Sequence, residues 1–208
     1  LTYPLIGNYG VPEKKYWESD GIKVSGLIVS NYINTPSHFQ SKQTLADWLK
    51  SENIPALEIT DTRFLTQKIR TKGTMLGKII FDRDIKFYDP NKENLVAQVS
   101  TRSILRQGYS FNNKNPYKKT VLLIDCGAKK NIERCLVKRG VRVVTVPWDF
   151  DPFLNVIPNS FRDLGSSGSE MLNQALPDQH DRIDGIVISN GPGDPKIADK
   201  TIQTIKKA

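Results

Sequence analysis

The chain has 208 residues, of which 38% are apolar and 25% charged, with 30 Lys and Arg against 22 Asp and Glu for a formal net charge of +8. These proportions suit a globular chain of one large or two small domains, and 14 Gly, 12 Pro and 2 Cys exclude collagen-like, low-complexity and disulfide-framework classes. No apolar run approaches the roughly 18 residues of a membrane-spanning helix, and the basic charge is spread as on a solvated surface, without a run of five like charges, so neither a membrane nor a nucleic-acid partner is expected. Leu1-Thr2-Tyr3-Pro4 has no initiator Met and no signal-peptide pattern, so the sequence reads as a piece opening mid-pattern. Two cysteines and two histidines cannot build a four-ligand zinc site, and the compartment expected is the reducing cytoplasm.

In chain order, 21–30 starts with alternation and ends in an apolar run, as strands do. The stretch 44–52 reads as a helix, with Thr44 as N-cap, Leu45, Trp48 and Leu49 on one face, and Ile54-Pro55 ending it. A strand over 56–60 follows. Asp61 or Thr62 then caps a helix over 64–71, and Gly73 stands where a left-handed C-terminal residue is usual. A further strand is predicted over 76–81, while 95–100 fits either type. The polar stretch 109–119 reads as a linker, giving an amino-terminal domain over 1–108 and a second domain over 120–208.

In the second domain the texture changes. Residues 120–125 form an unbroken apolar strand ending in Asp125, the pattern of a sheet buried on both faces. A helix over 131–138 carries Ile132, Cys135 and Leu136 on one face, and Gly140 closes it. Strands are predicted over 141–146 and 183–189 and a helix over 196–207, so the domain is an α/β unit with a parallel sheet. The turn-rich stretch over about 150–182 is too long for a simple crossover and reads as an inserted loop, with a helical turn at 171–176.

The most specific local signal is Ser189-Asn190-Gly191-Pro192-Gly193-Asp194-Pro195, directly after a buried strand. Such a loop lies at the carboxyl end of a parallel strand, where open α/β sheets bind ligands. Gly191 and Gly193 allow backbone N–H groups to approach a ligand, and the prolines stiffen the loop, so its donors are fixed in advance. Preorganised N–H groups beside a reacting carbonyl are what an oxyanion hole needs. The competing reading is a tight strand-to-helix turn with no ligand. A phosphate-binding P-loop is excluded by the missing Gly-Lys-Ser/Thr pattern, and a dinucleotide fingerprint by the single glycine of Gly127-Ala128-Lys129-Lys130.

These residues resemble a known family. Asn190-Gly191-Pro192-Gly193-Asp194-Pro195 is similar to the oxyanion loop of class I glutamine amidotransferases. The run from Leu123 through Asp125-Cys126-Gly127-Ala128-Lys129-Lys130 to Leu136, and the strand ending Val146-Pro147-Trp148, resemble that domain in carbamoyl-phosphate synthase. Tyr3-Pro4-Leu5-Ile6-Gly7-Asn8, Pro36-Ser37-His38 and Asp61-Thr62-Arg63-Phe64-Leu65-Thr66 resemble the amino-terminal domain of the same family. Gly10-Val11-Pro12, Pro36-Ser37-His38 and Val146-Pro147-Trp148 look more like the eukaryotic pyrimidine-pathway form than the bacterial small subunit.

The resemblance implies a mixed α/β docking domain followed by a flavodoxin-like amidotransferase domain, truncated and carrying an insertion. It implies glutamine hydrolysis through a cysteine thioester, feeding ammonia to an ATP-dependent synthetase, fused or separate, that makes carbamoyl phosphate for pyrimidine or arginine synthesis. On this resemblance Gly191 and Gly193 hold glutamine and its tetrahedral intermediate, with Asn190 and Ser189 supporting the loop. The nucleophile belongs to a Gly-x-Cys-x-Gly elbow, followed by a His and a Glu, all expected beyond Ala208. No catalytic residue and no metal ligand is therefore assigned within the 208 residues, which are expected to be inactive alone. No cofactor is expected in this part; ATP, Mg²⁺ and bicarbonate, and with them nucleotide binding, belong to the synthetase.

The remaining polar candidates have plainer readings. Cys126 and Cys135 read as small buried side chains, His38 as a structural or surface residue, and His180 as solvated. Asp61-Thr62-Arg63 is explained by helix capping, or by a contact with the synthetase, for which Tyr16, Trp17, Phe39 and Trp48 are candidate anchors. The alternative function is a docking or regulatory module that keeps the fold without the catalytic triad.

Overall fold

A computed structural model describes residues 1–108, 119–153 and 183–208. The expected linker, except Lys119, and most of the expected insertion, including the helical turn at 171–176 and His180, lie outside the described residues. The chain divides into two compact units, Leu1–Asp89 and Pro90–Ala208, so the stretch 90–108 is grouped with the second.

The first unit contains strand β1 (Leu27–Val29), helix α1 (Leu45–Ser51), strand β2 (Ala56–Glu58) and helix α2 (Thr62–Lys72). The two strands pair in parallel, Leu27 opposite Ala56. Thr44 caps α1: its Oγ1 accepts from the Asp47 N–H at 3.0 Å and donates to Asp47 Oδ2 at 2.7 Å. Of the two expected caps for α2, Asp61 serves, its Oδ1 accepting from the Phe64 N–H at 2.7 Å. Gly73 ends α2 with φ at +82° and its N–H on the Ile69 carbonyl.

Two expectations are corrected here. The strand over 21–30 shortens to three residues. The predicted strand over 76–81 does not form, and Ile80 and Phe81 are 50% and 70% exposed. No strand of the two-stranded β1–β2 sheet pairs with 76–81, and an apolar run without a ladder is not a strand.

The second unit runs α3 (Leu95–Val99), β3 (Leu105–Gln107), β4 (Lys119–Asp125), α4 (Lys130–Lys138), β5 (Val141–Pro147), β6 (Ile183–Ile188) and α5 (Asp199–Lys207). The ambiguous stretch 95–100 is a helix, because Asn94 Oδ1 caps it through the Ala97 N–H at 3.0 Å. The sheet has the order β3-β5-β4-β6. β4 pairs in parallel with both β5 and β6, and β3 closes one edge antiparallel to β5. The fold is the α/β class expected. Leu122, Leu123 and Ile124 are at most 3% exposed, as the unbroken apolar run requires. One face of β4 and β5 packs Leu122, Ile124, Cys126, Val144 and Val146 against Val96 of α3 and Ala198 before α5.

Two further corrections concern the helices. The predicted helix over 196–207 is a 3-10 turn (Pro195–Ile197) followed by α5, with the break at Ala198. On α4 the residue turned inward is Glu133, at 8% exposure, and Cys135 is only half-buried. Glu133 accepts from Thr145 Oγ1 of β5 at 2.5 Å and from Gln107 Nε2 of β3, so the helix, the sheet and the edge strand meet on one carboxylate. Gly140 closes α4 with φ at +76° and its N–H on Val137.

Replacing Glu133 by Ala leaves the Thr145 hydroxyl buried without its acceptor and is expected to cost about 1–3 kcal/mol, with Glu133→Gln costing less. Urea unfolding measures this. An unchanged midpoint in Glu133→Ala would show that the network contributes nothing to stability.

Candidate functional site

The order β5-β4-β6 places the chain's switch of direction at β4. β5 lies on one side of it and β6 on the other, and the crevice of such a sheet opens outside the carboxyl ends of the strands flanking the switch. The two turns at that place are Cys126-Gly127-Ala128 after β4 and Ser189-Asn190-Gly191-Pro192-Gly193 after β6.

The β4 turn is built by Asp125. Its Oδ1 accepts from the N–H groups of Gly127 at 2.8 Å and Ala128 at 2.6 Å, and its Oδ2 accepts from the Thr101 N–H at 2.7 Å. The carboxylate at the end of this strand, 8% exposed, is therefore occupied with backbone donors and holds the chain at 101 against the turn. Gly127 has φ at +123°, and a Cβ there would lie 3.0 Å from Val99 Cγ2 and 3.3 Å from Pro192 Cδ.

The β6 loop lies against this turn, backbone on backbone. A Cβ on Gly191 would sit 2.1 Å from the Cys126 carbonyl oxygen, so no other residue fits without moving one of the turns. Ser189 joins the same two segments. Its Oγ accepts from the Cys126 N–H at 2.9 Å and donates to the Asn190 carbonyl at 2.9 Å, while its own N–H continues the ladder to the Ile124 carbonyl. Ser189 is 7% exposed, whereas Asn190, Gly191, Pro192 and Gly193 are all exposed. Gly193 has φ at +80°, and a Cβ there would lie 3.4 Å from Leu95 Cδ1 of α3. Asp194 Oδ1 accepts from the Lys196 N–H at 2.9 Å and starts the 3-10 turn. Among the described residues, no hydrogen bond uses the N–H of Gly191 or Gly193. The loop is thus an exposed, fixed pair of glycine donors on a buried footing.

The structure brings Asn190, Gly191 and Gly193 together at this crevice, Asn190 entering the network through its carbonyl. Reasoning from the sequence named Ser189 as a support of the loop and did not single out the two other hydroxyls that hold the rim. Ser100 Oγ accepts from the Trp148 N–H at 3.0 Å, and Thr201 Oγ1 donates to the Trp148 carbonyl at 2.6 Å. The signal for them is weak, since each is a lone Ser or Thr in or beside a short helix.

Cys126 lies within this rim at 6% exposure, with Sγ 3.7 Å from Thr201 Oγ1. Burial pushes its thiol pKa up, the Thr201 contact pulls it part of the way back, and the Asp125 carboxylate pushes it up again. The thiol therefore stays protonated through neutral pH, the wrong state for a nucleophile. In the first unit, His38 stacks on Phe39 with ring centroids 4.6 Å apart, and its Nδ1 accepts from the Gln40 N–H. Trp17 and Trp48 pack on each other at 4.5 Å, while Tyr16 and Phe39 are 49% and 87% exposed. Among the described residues no three His, Cys, Asp or Glu side chains converge as metal ligands, and no helix is long and apolar enough to cross a membrane.

Residues 1–79 match the carbamoyl-phosphate synthase small chain, CPSase domain, and residues 122–208 match the class-I glutamine amidotransferases. The chain is 42% identical over 217 residues to the mitochondrial carbamoyl-phosphate synthase [ammonia] of Mus musculus, covering 100% of this chain and 12% of that protein. It is 39% identical to the multifunctional protein CAD of Squalus acanthias, covering 100% of this chain and 8% of that protein. It is 36% identical to the arginine-specific carbamoyl phosphate synthase small chain of Saccharomyces cerevisiae, covering 100% of this chain and 46% of that protein. The chain thus spans less than half the length of each of these relatives. It belongs to the carbamoyl-phosphate synthase small-chain family, with a flavodoxin-like amidotransferase part, as the resemblance in its motifs implied.

Two outcomes follow from this geometry. Gly191→Ala is expected to cost roughly 1–3 kcal/mol through forced separation of the two turns, and Gly193→Ala only about 1–2 kcal/mol through its positive φ. Chemical denaturation of both variants checks the order; Gly193→Ala as the costlier change would contradict the close approach. Cys126 is expected to react with iodoacetamide at pH 8 roughly ten-fold more slowly than Cys135, as peptide mapping would show; equal rates would contradict the buried, protonated thiol.

Proposed function

We propose that this chain forms the docking domain and the glutamine-binding loop of a glutamine-hydrolysing carbamoyl-phosphate synthase. The observation that carries the reading is the exposed glycine loop, fixed against the β4 turn at the carboxyl ends of parallel strands. In that role the Gly191 and Gly193 backbone would hold the glutamine amide, and donors fixed before reaction would stabilise the oxyanion of each tetrahedral intermediate. A cysteine thiolate attacks the amide carbon and ammonia leaves; water then cleaves the thioester to release glutamate.

Neither cysteine of this chain suits the attack. Cys126 is buried and protonated, Cys135 lies on α4, and neither stands in a Gly-x-Cys-x-Gly pattern. The first unit has no chemistry assigned, and its proposed role is to dock on the synthetase, for which exposed Tyr16 and Phe39 fit an anchoring role better than the paired Trp17 and Trp48. The synthetase would bring ATP, Mg²⁺ and bicarbonate. The proposed product serves pyrimidine or arginine synthesis, in keeping with the name of the arginine-specific yeast relative. The compartment proposed is a reducing one, the cytoplasm by the sequence reading; both cysteines are free, and the mitochondrial relatives show that the family is not confined to the cytoplasm.

A second reading has one observation in its favour. Three relatives at 41–42% identity carry ammonia in their names. A chain of that kind would serve as a docking or regulatory module.

Glutamate release decides between the two. The natural full-length polypeptide is expected to convert glutamine to glutamate, and the 208 residues alone are not. Carbamoyl phosphate formed only from free ammonium would favour the docking module. Steady turnover by the 208-residue chain would contradict the exclusion of its own cysteines.

A further inference from the structure

We infer that Ser189 is a positioning residue whose hydroxyl fixes the direction of the Gly191 N–H. The inference rests on the glutamine-binding reading of the loop and adds a residue that does not touch the substrate.

The peptide bond between Asn190 and Gly191 sets the direction of that N–H. Among the described residues no peptide bond is cis. In a trans peptide the carbonyl and the N–H point in opposite directions in one plane. Fixing the Asn190 carbonyl therefore fixes where the Gly191 N–H points. Ser189 Oγ donates to that carbonyl at 2.9 Å. The same oxygen accepts from the Cys126 N–H at 2.9 Å, so its proton is committed to Asn190 and its lone pair to the β4 turn.

The footing of this clamp is rigid. Ser189 is 7% exposed, its N–H is held by the Ile124 carbonyl, and Ile124 is fully buried in β4. Glycine has no Cβ to restrict its torsions, so the side of the plane that belongs to Gly191 has little to resist rotation. The approach of Gly191 to the Cys126 carbonyl sets how near the loop lies, but distance alone does not choose the orientation of a peptide plane. The hydroxyl does. Without it, the Cys126 N–H also loses its acceptor in a buried place, which pulls on the same two turns.

An oxyanion donor acts only where its N–H meets the developing charge, and misplacement by about 1 Å can cost on the order of 10²-fold in rate. Loss of the clamp therefore appears in kcat more than in KM, because the rest of the site still binds ground-state glutamine.

The test uses the natural full-length polypeptide with Ser189→Ala and Ser189→Thr. In Ser189→Ala the glutaminase kcat is expected to fall roughly 10–100-fold with KM changed by less than about threefold. Ser189→Thr, which keeps the hydroxyl, is expected to recover most of the rate. A second readout does not depend on activity: in ¹⁵N-labelled protein the Gly191 amide resonance should move or broaden in Ser189→Ala and return in Ser189→Thr. A folded Ser189→Ala protein with the original kcat and an unmoved Gly191 amide overturns the inference. If the unsubstituted polypeptide releases no glutamate, the glutamine-binding reading falls instead, and the Gly191 resonance alone still decides whether Ser189 sets the peptide plane.

Discussion

The second unit depends on one close approach, the Gly191 backbone against the Cys126 carbonyl. At 2.1 Å from that oxygen there is no room for a Cβ, so the turns leaving β4 and β6 meet as bare main chain. The exits of two adjacent parallel strands thus meet with no side chain between them. The neighbouring choices follow from it. Gly127 must also avoid a side chain facing Val99 and Pro192. The turn at 126–128 must curl inward, and Asp125 makes it do so by drawing two successive N–H groups onto one oxygen.

Such a rim cannot be held by apolar packing, because main chain in contact with main chain carries polar groups that need partners. The fold supplies them with short side chains. Asp125, Ser189, Ser100 and Thr201 each take or give backbone hydrogen bonds at the ends of β4, β6 and β5. Below the rim the sheet reverts to Leu122, Leu123, Ile124, Val143, Val144 and Val146, all buried. The unit is therefore graded along its strands, with an apolar body below and a hydrogen-bonded lip above. Thr120, Thr145 and Glu133 are buried polar residues within that body, and the Glu133 carboxylate is tolerated because Thr145 and Gln107 complete its hydrogen bonds.

Much of this was legible in the sequence, where a local rule acts within a few residues. Thr44, Asp61, Gly73 and Gly140 mark helix ends, and each behaves as capping chemistry requires. The strands over 120–125 and 141–146 were visible because a doubly covered sheet needs continuous apolar runs, whereas β6, expected as a buried strand, lies at the sheet edge with Ile186 and Ile188 36% and 40% exposed. What escaped was set at long range. Leu105-Arg106-Gln107 has no strand pattern and is a strand only because β5 offers an edge. The apolar run at 76–81 has the pattern, yet no strand pairs with it. On α4 the periodicity pointed Cys135 inward, yet the helix turns Glu133 to the sheet, since a carboxylate with two partners can replace an apolar contact. The loop at 190–193 was legible as preorganised donors, but the hydroxyl beneath it acquires its meaning only from Cys126, sixty-three residues away.

The same geometry bears on the two functional readings, because they ask different things of these residues. A docking module needs an outer surface, and a strand can be joined to a helix by many turns made of ordinary residues. This chain instead keeps three glycines at the crevice, each of which loses more backbone entropy on folding than another residue would, and it stiffens them with two prolines. The close approaches at 127 and 191 and the positive φ at 193 account for the glycines; the Gly191 and Gly193 N–H groups, which no hydrogen bond among the described residues uses, are what a ligand would engage. Exposed N–H groups above a hydrogen-bonded footing suit the proposed glutamine-holding role, and the docking reading makes no use of them.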